Sequence, residues 1–471
     1  MANTSVKIVQ IRDLNERGQG VGAIVDDSPL QGKVCFVDGA LPGETVSALV
    51  RLEKPRFLVL ELLEVLAKSP DRILSDCEYF PECGSCQLRH MDYHAELSFK
   101  QKRVRDLLSR QGPLEVNDPA FLPIIGMEHP LHYRSKSIFP IQKEDDAIKI
   151  GQYRRGTHDL VDLFHCQLHG EVALDIVNAV RELILRDGVS IYDEQQHRGT
   201  LRHLVVREGF SSKQLMLIFV VNDKEADDVI RSWIPLLKRV VQKRGMALQS
   251  VWINDMDTKG NRILSSNYRL SEGEESITET INGVSYNISP DSFFQVNPIQ
   301  AAVLFDQVVK MAALQPDEKV LDLYSGVGAL ALQLASAAQN DPSISITGVD
   351  LVPLAILDAK ENARINNLKK LHFIAEDATS WLNDYENDPD KKPFDVIVVD
   401  PPRKGLDPEA IDVMNRSGAK RIVYVSCNPS TLARDLSLLS DMYSVSRVQP
   451  VDMFPRTMHV ETVVLMSRVE K

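Results

Sequence analysis

One stretch decides the fold: Val320-Leu321-Asp322-Leu323-Tyr324-Ser325-Gly326-Val327-Gly328-Ala329-Leu330. Its apolar start predicts a strand, its glycines predict a tight turn, and its end predicts the beginning of a helix. Glycine allows the backbone to turn sharply and to approach a ligand closely. Because a Gly-x-Gly turn is also common in purely structural turns, the flanking sequence must decide what this one does.

Strand-like and helix-like segments alternate regularly after about residue 290. The strand candidates are mostly continuous apolar runs, which are typical of strands covered on both faces. The alternation predicts a parallel, doubly wound, Rossmann-like α/β sheet. The candidates are Lys319–Leu323, Ile344–Val349, Leu371–Ile374, Asp395–Val399, Arg421–Val425 and Glu461–Met466.

Acidic residues at the ends of these strands favour a cationic, adenosine-containing cofactor. Asp350 comes 24 residues after Gly326, where a carboxylate can accept hydrogen bonds from ribose hydroxyls. Asp377 follows the third strand, where it would contact an adenine amine. The turn lacks a third glycine, which counts against a pyrophosphate-containing dinucleotide, and Asp322 suits a sulfonium better than a phosphate. S-adenosylmethionine is therefore the predicted cofactor.

Two further strand ends carry reactive side chains. The segment Asp400-Pro401-Pro402-Arg403 closes the fourth strand, and Cys427 closes the fifth. Because the carboxyl ends of neighbouring parallel strands converge on one crevice, we expect Asp400 and Cys427 beside the methyl donor. A strand-end cysteine is more often a small buried residue, and a lone Glu461 would be a surface carboxylate. Their occurrence in one sheet with Asp-Pro-Pro-Arg favours the catalytic interpretation.

These groups suit substitution at carbon 5 of a uracil ring. That carbon is too weakly nucleophilic to take a methyl group until a thiolate adds to carbon 6. A base must then remove the carbon 5 proton before the thiolate can leave. Cys427 fits the nucleophile and Glu461 the base, while Asp400 or Arg403 would hydrogen-bond the uracil edge. A target uracil would have to leave its stack, and Phe294 is the aromatic expected to hold it.

Five segments together resemble the RNA uracil-5-methyltransferase family, specifically its bacterial 23S rRNA branch that carries an iron–sulfur cluster. They are Ser292-Phe293-Phe294-Gln295-Val296-Asn297, Tyr324-Ser325-Gly326-Val327-Gly328, Asp400-Pro401-Pro402-Arg403, Ser426-Cys427-Asn428-Pro429 and His459-Val460-Glu461.

The resemblance implies methylation of carbon 5 of a specific uridine in 23S rRNA. It implies that the donor site is contacted by Gln295, Tyr324, Asp350 and Asp400. It also implies that Cys427 is the nucleophile and Glu461 the proton acceptor. Asp350 departs from the family pattern, because many relatives carry glutamate there.

The front of the chain predicts a second kind of domain. Residues 1–65 contain short strands separated by glycine and proline turns, which predicts a small antiparallel barrel. The resemblance implies that this barrel is an RNA-binding TRAM domain. We expect three domains: a TRAM-like barrel over 1–66, a central α+β domain with the cysteine cluster and an RNA-binding surface over 67–290, and the methyltransferase domain over 291–471.

The charge pattern points to RNA locally but not globally. A net charge of -12 argues against nucleic acid, because phosphate binding needs lysine and arginine. Residues 97–110, 132–136 and 152–155 are nevertheless locally basic, and two of these segments interleave aromatic residues. Each alone is as easily a solvated surface, but three in one region favour an RNA groove. The expected partner is 23S rRNA, with no DNA and no membrane, and the protein is expected to be a monomer.

Four cysteines predict a metal centre. Cys77, Cys83 and Cys86 are closely spaced and Cys166 lies far downstream. Four thiolates suit either tetrahedral zinc or a [4Fe-4S] cluster, and the spacing alone does not choose between them. The resemblance implies the [4Fe-4S] cluster, in a structural role. Cys35 is expected to be a core residue of the barrel.

Two other functions fit parts of the pattern. The same chemistry would serve a tRNA uridine, and a non-catalytic RNA-binding or ribosome-assembly factor would retain the pocket without using it. A DNA cytosine methyltransferase would carry a Pro-Cys nucleophile loop, which is absent. No apolar run approaches twenty residues and the N-terminus lacks the pattern of a signal peptide, so a cytoplasmic location is expected.

Overall fold

The computed structural model of the chain describes residues 5–145, 147–260, 262–339 and 341–469. These residues form two compact units. The first unit lies within Met1–Lys100, Gln152–Val161 and Phe454–His459, and the second within Gln101–Gly151, Asp162–Met453 and Val460–Lys471. Across the described ranges, no helix has the length and apolar character needed to cross a membrane.

The N-terminal strands close into a barrel in the order β1-β2-β3-β5-β4. The strands are β1 (Val6–Leu14), β2 (Gln19–Ile24), β3 (Val34–Asp38), β4 (Thr45–Glu53) and β5 (Phe57–Ala67). The predicted small barrel is confirmed, and fully buried Cys35 is part of its core. The barrel is not wholly antiparallel as predicted, because β5 runs parallel to β3. This pairing closes the barrel and covers edges that would otherwise be exposed.

A helix and a seven-stranded sheet follow the barrel. Helix α1 spans Tyr93–Arg110 and includes the basic segment 97–110. The sheet has the strand order β12-β11-β10-β9-β6-β7-β8. Its strands are β6 (Lys136–Glu144), β7 (Ala147–Tyr153), β8 (Leu160–Asp162), β9 (Leu201–Gly209), β10 (Gln214–Val221), β11 (Ala247–Asp255) and β12 (Tyr268–Gly273). The helices α2 (Glu171–Asp187) and α3 (Asp227–Lys243) and the hairpin β13 (Ile277–Ile281) and β14 (Val284–Ile288) complete this region.

The C-terminal part is a second seven-stranded sheet in the order β17-β16-β15-β18-β19-β21-β20. Its strands are β15 (Lys319–Leu323), β16 (Ser345–Asp350), β17 (Leu371–Ala375), β18 (Val396–Val399), β19 (Arg421–Ser426), β20 (Tyr443–Val451) and β21 (Glu461–Arg468). Its helices are α4 (Pro298–Ala312), α5 (Ala329–Ala337), α6 (Pro353–Ile365), α7 (Ala378–Asn387), α8 (Pro408–Arg416) and α9 (Pro429–Leu439). The predicted α/β architecture is confirmed, with strand ends within two residues of the predicted ones.

The last two strands correct the prediction of a parallel sheet. Strand β21 runs antiparallel to β19, and β20, which the sequence did not reveal, runs antiparallel to β21. In a wholly parallel sheet, the start of β21 would lie at the edge opposite the end of β19. Because β21 is reversed, its first residue, Glu461, lies at the same edge as the end of β19.

Candidate active site

The glycine turn after β15 adopts the left-handed backbone conformation at three positions. Tyr324 has a φ of 63°, Gly326 a φ of 54° and Gly328 a φ of 79°. Glycine adopts this conformation at no steric cost, whereas a tyrosine there is strained by about 1–3 kcal/mol. A Cβ atom added at Gly328 would lie 2.9 Å from the ring of Phe373. The turn therefore requires glycine at Gly328, and the strain at Tyr324 marks this loop as a candidate functional element.

The carboxylate of Asp350 connects the end of β16 to this turn. Its Oδ2 atom accepts a hydrogen bond of 2.9 Å from the backbone N–H of Gly326, and its Oδ1 atom accepts one of 2.9 Å from the N–H of Val352. Asp350 is thus next to the glycine turn. Its contact with a ribose stays a prediction.

Asp322 is buried directly beneath the same turn. Its Oδ2 atom accepts a hydrogen bond of 3.1 Å from the N–H of Ala331, while its Oδ1 atom has no hydrogen-bond partner among the described residues. Burial raises the pKa of Asp322 well above its usual range, and Asp400 and Asp350 raise it further. A cation brought to this site would oppose that shift, which is consistent with a positively charged ligand.

The other predicted donor residues have local structural roles as well. Asp377 is the N-cap of α7, and its carboxylate accepts a hydrogen bond of 2.9 Å from the N–H of Ser380. Gln295 is half-buried in the irregular segment before α4. Contacts of Asp377 with adenine and of Gln295 with the donor remain predictions.

The reacting groups lie side by side at one edge of the C-terminal sheet. Ser426, the last residue of β19, pairs with Thr462 of β21. One residue further out on each strand are Cys427 and Glu461. Glu461 is only 6% exposed, whereas Cys427 is partly exposed. The antiparallel register therefore brings together the thiol and the carboxylate that the sequence singled out.

Two carboxyl groups and one guanidinium act electrostatically on the thiol. Burial, Glu461 and Asp400 raise the pKa of Cys427 to about 11, and Arg403 opposes this shift. Burial and Asp400 raise the pKa of Glu461 to about 8, again opposed by Arg403. Burial raises the pKa of Asp400 to about 7. Asp400, Arg403, Cys427 and Glu461 therefore form one interacting cluster, in which the thiol is largely protonated at neutral pH.

Arg403, which the sequence placed at the uracil edge, also acts on the thiol, an effect that the sequence did not identify. A positive group near the thiol favours the thiolate, and Arg403 is a cation that lowers the pKa of Cys427. Its backbone carbonyl accepts a hydrogen bond of 3.1 Å from the side chain of Asn428, the residue after the thiol. The signal was present in the sequence, because Arg403 belongs to the same Asp-Pro-Pro-Arg segment as Asp400.

The burial of Phe294 opposes its expected role, which stays a prediction. Phe294 is only 7% exposed and its ring packs 5.2 Å from the ring of Tyr286, so little of the ring is open to an incoming base. The neighbouring Phe293 is 73% exposed. Adjacent aromatic residues in an irregular segment follow no periodicity, so sequence reasoning could not tell which of the two faces solvent.

The predicted metal centre is not confirmed. Cys77, Cys83 and Cys86 lie in the irregular segment between β5 and α1, and Cys166 lies between β8 and α2. None of the four forms a disulfide. Within the described ranges, no group of three or more His, Cys, Asp or Glu side chains is arranged to hold a metal ion. The cluster therefore stays a prediction, and no step of the proposed chemistry depends on it.

The locally basic segments are only partly available for RNA. Lys100 is fully buried and forms an ion pair of 2.7 Å with Glu96. Arg154 forms an ion pair with Glu82. Lys102 is exposed but pairs with Asp106 at 2.5 Å. Much of the positive charge in residues 97–110 and 152–155 is therefore neutralised within the protein.

Comparison with known proteins agrees with this geometry. Residues 92–469 match the sequence family described as tRNA (Uracil-5-)-methyltransferase. The chain belongs to the RNA uracil-5-methyltransferase family. It is 37% identical over 463 residues to an uncharacterized RNA methyltransferase of Halalkalibacterium halodurans, covering 98% of this chain and 96% of the relative. It is also 37% identical over 470 residues to an uncharacterized RNA methyltransferase of Bacillus cereus, covering 98% and 96%.

A solved member of similar fold spans nearly the whole chain. It is the Pyrococcus abyssi tRNA (uracil-54, C5)-methyltransferase in complex with S-adenosyl-L-homocysteine. The two structures superpose with a TM-score of 0.73 at 26% identity, covering 97% of this chain and 99% of the other. The match includes the N-terminal barrel, so the likeness to the uracil-5-methyltransferase family is not confined to the C-terminal sheet.

Proposed function

We propose that this protein transfers the methyl group of S-adenosylmethionine to carbon 5 of a uridine in 23S rRNA. Cys427 acts as the nucleophile and Glu461 as the proton acceptor. One observation carries the proposal: the antiparallel register of β19 and β21 sets Cys427 beside Glu461, within electrostatic range of Asp400 and Arg403. Membership of the uracil-5-methyltransferase family supports it.

The chain's own residues account for each proton and bond. The thiol of Cys427 loses its proton to solvent, aided by Arg403, and its sulfur forms a bond to carbon 6 of the uracil. The electron pair displaced to carbon 5 forms the new bond to the methyl group while the bond between that methyl group and the sulfonium sulfur breaks, and S-adenosylhomocysteine leaves with the sulfur's electron pair. Glu461 must be ionised for the next step, and this form is the minor one near neutral pH because its pKa is about 8. The ionised carboxylate accepts the carbon 5 proton, the bond between sulfur and carbon 6 breaks, and the ring double bond is restored.

In this proposal the methyl donor binds at the glycine turn. S-adenosylmethionine, when bound, supplies a methyl group on a positively charged sulfonium. The unpartnered Oδ1 atom of buried Asp322 and the raised pKa of that carboxyl fit a cationic ligand beside the turn. Asp350 would accept hydrogen bonds from ribose hydroxyls, and Gln295, Tyr324, Asp377 and Asp400 would complete the site.

The Glu461→Gln variant tests the assignment of the two reacting groups. With no base to remove the carbon 5 proton, the covalent adduct between Cys427 and RNA should accumulate. It would be detected as a protein–RNA band that survives denaturing electrophoresis. The double variant Cys427→Ala, Glu461→Gln is the matched control and should give no such band. Turnover of Glu461→Gln at the wild-type rate would refute the role of Glu461.

The RNA substrate has two candidates. The five catalytic segments resemble the 23S rRNA branch of the family. Together with the four cysteines, this resemblance supports 23S rRNA as the substrate. A specific observation favours a tRNA uridine instead: the similar solved structure is named as a tRNA methyltransferase, and it covers the barrel as well as the catalytic sheet. Competition between purified 23S rRNA and purified tRNA for labelled methyl groups separates the two, because the true substrate is methylated preferentially.

The iron–sulfur cluster is a separate part of the proposal. Its support is the presence of Cys77, Cys83, Cys86 and Cys166 together with the sequence resemblance. Iron and acid-labile sulfide should be measured on protein purified without oxygen, and compared with a Cys83→Ser, Cys86→Ser variant. Stoichiometric iron and sulfide in the wild type and their loss in the variant are expected. Zinc in place of iron, or no bound metal, would overturn this part and leave the methylation chemistry unaffected.

A further inference from the structure

The segment from Ser289 to Asn297 has no regular secondary structure, although it carries side chains important to the proposed reaction. It includes exposed Phe293 and half-buried Gln295, the predicted donor contact. An irregular segment has no hydrogen-bond ladder of its own, so its conformation depends on the groups that hold its backbone. Those groups come from β9, from the residue before β6 and from α6.

Arg207 of β9 holds the first half of this segment. Its side chain is buried, with the residue only 3% exposed. The guanidinium donates through Nη1 to the carbonyl of Ser289 at 3.2 Å and through Nη2 to the carbonyl of Ser292 at 2.7 Å. The planar fork of a guanidinium can reach two acceptors at once, which the compact ammonium of lysine does not match.

The second half is held by Ser135, which directly precedes β6. Its backbone N–H donates to the carbonyl of Val296 at 2.7 Å, and its hydroxyl donates to the same carbonyl at 3.1 Å. At the other end of the segment, the hydroxyl of Ser289 donates to Asp358 of α6 at 2.9 Å. Arg207 therefore supports the stretch between two fixed ends, immediately before Phe293 and Gln295.

Burying a guanidinium has a desolvation cost that its hydrogen bonds must offset. An apolar side chain of similar volume would avoid this cost. Strand β9 is buried along its whole length, so an aliphatic residue would satisfy packing at this position. Arg207 instead directs two donors at carbonyls of one irregular segment. Positioning that segment is the role that explains a cation here.

We infer that Arg207 is a positioning residue that holds segment 289–297 in the geometry required for donor binding. It does not itself touch the donor or the RNA. This inference rests on the proposed function in one respect, because Gln295 is taken as a donor contact. The claim that Arg207 orders the segment stands on the hydrogen bonds alone.

The same strand offers a matched control. Arg202 is also buried in β9, at 5% exposed. It too donates to two backbone carbonyls, those of Met256 at 2.6 Å and Thr258 at 3.1 Å. Neither carbonyl belongs to segment 289–297. Arg202→Met therefore reproduces the loss of a buried guanidinium and of two carbonyl bonds without releasing the segment.

Two measurements on the full chain test the inference. Hydrogen–deuterium exchange should be faster in residues 289–297 of Arg207→Met than in wild type or Arg202→Met. Calorimetric titration with S-adenosylhomocysteine should show an increase in Kd of about tenfold for Arg207→Met and less than twofold for Arg202→Met. Should Arg207→Met fail to fold, Arg207→Lys carries the test, with an intermediate effect expected in both measurements.

Unchanged exchange of residues 289–297 in the Arg207 variants would overturn the inference. Equal donor affinity of the Arg207 and Arg202 variants would also overturn it. If wild-type protein binds no S-adenosylhomocysteine, the proposed function fails. The exchange measurement then still decides whether Arg207 orders the segment, so the two failures are distinguishable.

Discussion

The buried carboxyl of Glu461 should make the protein less stable as the pH rises, and the Glu461→Gln variant should remove this effect. In the folded protein the pKa of Glu461 is about 8, because burial and Asp400 disfavour its charge. In the unfolded chain it returns to about 4.3. At a pH between about 4.3 and 8, the folded protein therefore keeps a proton on Glu461 that the unfolded chain has lost. The stabilisation from the neutral carboxyl is complete below about pH 4 and is lost as the pH rises through 8.

The size of the effect follows from the pKa difference. A difference of almost four units, at about 1.36 kcal/mol per unit, sets an upper bound of about 5 kcal/mol at pH 9. Structural relaxation and shared protonation with Asp400 reduce this figure, so we expect about 2–4 kcal/mol. The Glu461→Gln variant carries no titrating proton at this position. Relative to wild type it should be nearly unchanged at pH 5 and more stable by this amount at pH 9.

Scanning calorimetry across pH 5 to 9 measures the difference, following the transition of the unit that contains the C-terminal sheet. The control is Glu361→Gln, whose carboxylate pairs with Arg364 on the surface of α6. An exposed pair of this kind contributes little to stability, and its loss should not stabilise the protein at high pH. Parallel stability curves for wild type and Glu461→Gln would refute the reasoning that the site keeps Glu461 neutral.

Three further outcomes are expected. Cys427→Ala should abolish methyl transfer while leaving donor affinity within twofold of wild type by calorimetric titration, and residual transfer above background would contradict the role of the thiol. Arg403→Met should move the rising limb of the pH–rate profile to higher pH by less than about one unit, because Arg403 lowers the pKa of both Cys427 and Glu461 and is itself exposed. Phe294→Ala should lower the free energy of unfolding by about 3–5 kcal/mol in chemical unfolding, because its ring is buried. The exposed matched control Phe293→Ala should change stability little and weaken RNA binding in a filter assay. Equal losses of stability would show that the two rings are not differently buried.

The α/β architecture could be predicted because its signals are local. Strand β15, the glycine turn and α5 lie within one short stretch, in which apolar run, glycines and helix start agree. Strand β20 was missed because its first half is mostly exposed and polar, with residues such as Ser444 and Arg447. Its burial depends on pairing with β21, which a single-strand pattern does not reveal.

The reversal of β21 is the feature that completes the candidate site, and the sequence contained a signal for it. Only residues 452–460 separate β20 from β21. A parallel connection needs a crossover of a dozen residues or more, so a link this short requires an antiparallel pair. Without β20, that constraint could not be applied. The identities of Cys427 and Glu461 were therefore predictable from chemistry, but their adjacency came from a strand that was not recognised.

Electrostatic properties of the site were beyond sequence reasoning. The pKa of Cys427 depends on burial and on three charged groups from two other segments of the chain. Arg403 could be named from its motif, but its effect on the thiol required the fold. For the same reason, the sequence could not reveal that Lys100, within one of the basic segments, is buried and paired with Glu96.

The central claim is methyl transfer to carbon 5 of a uridine in RNA. The most direct test incubates protein purified without oxygen with methyl-labelled S-adenosylmethionine and total RNA from cells lacking this gene. Labelled nucleosides are then identified and mapped. Label recovered as 5-methyluridine in 23S rRNA is the predicted result. Label in tRNA would preserve the chemistry and replace the substrate, and absence of labelled 5-methyluridine from all RNA would contradict the account.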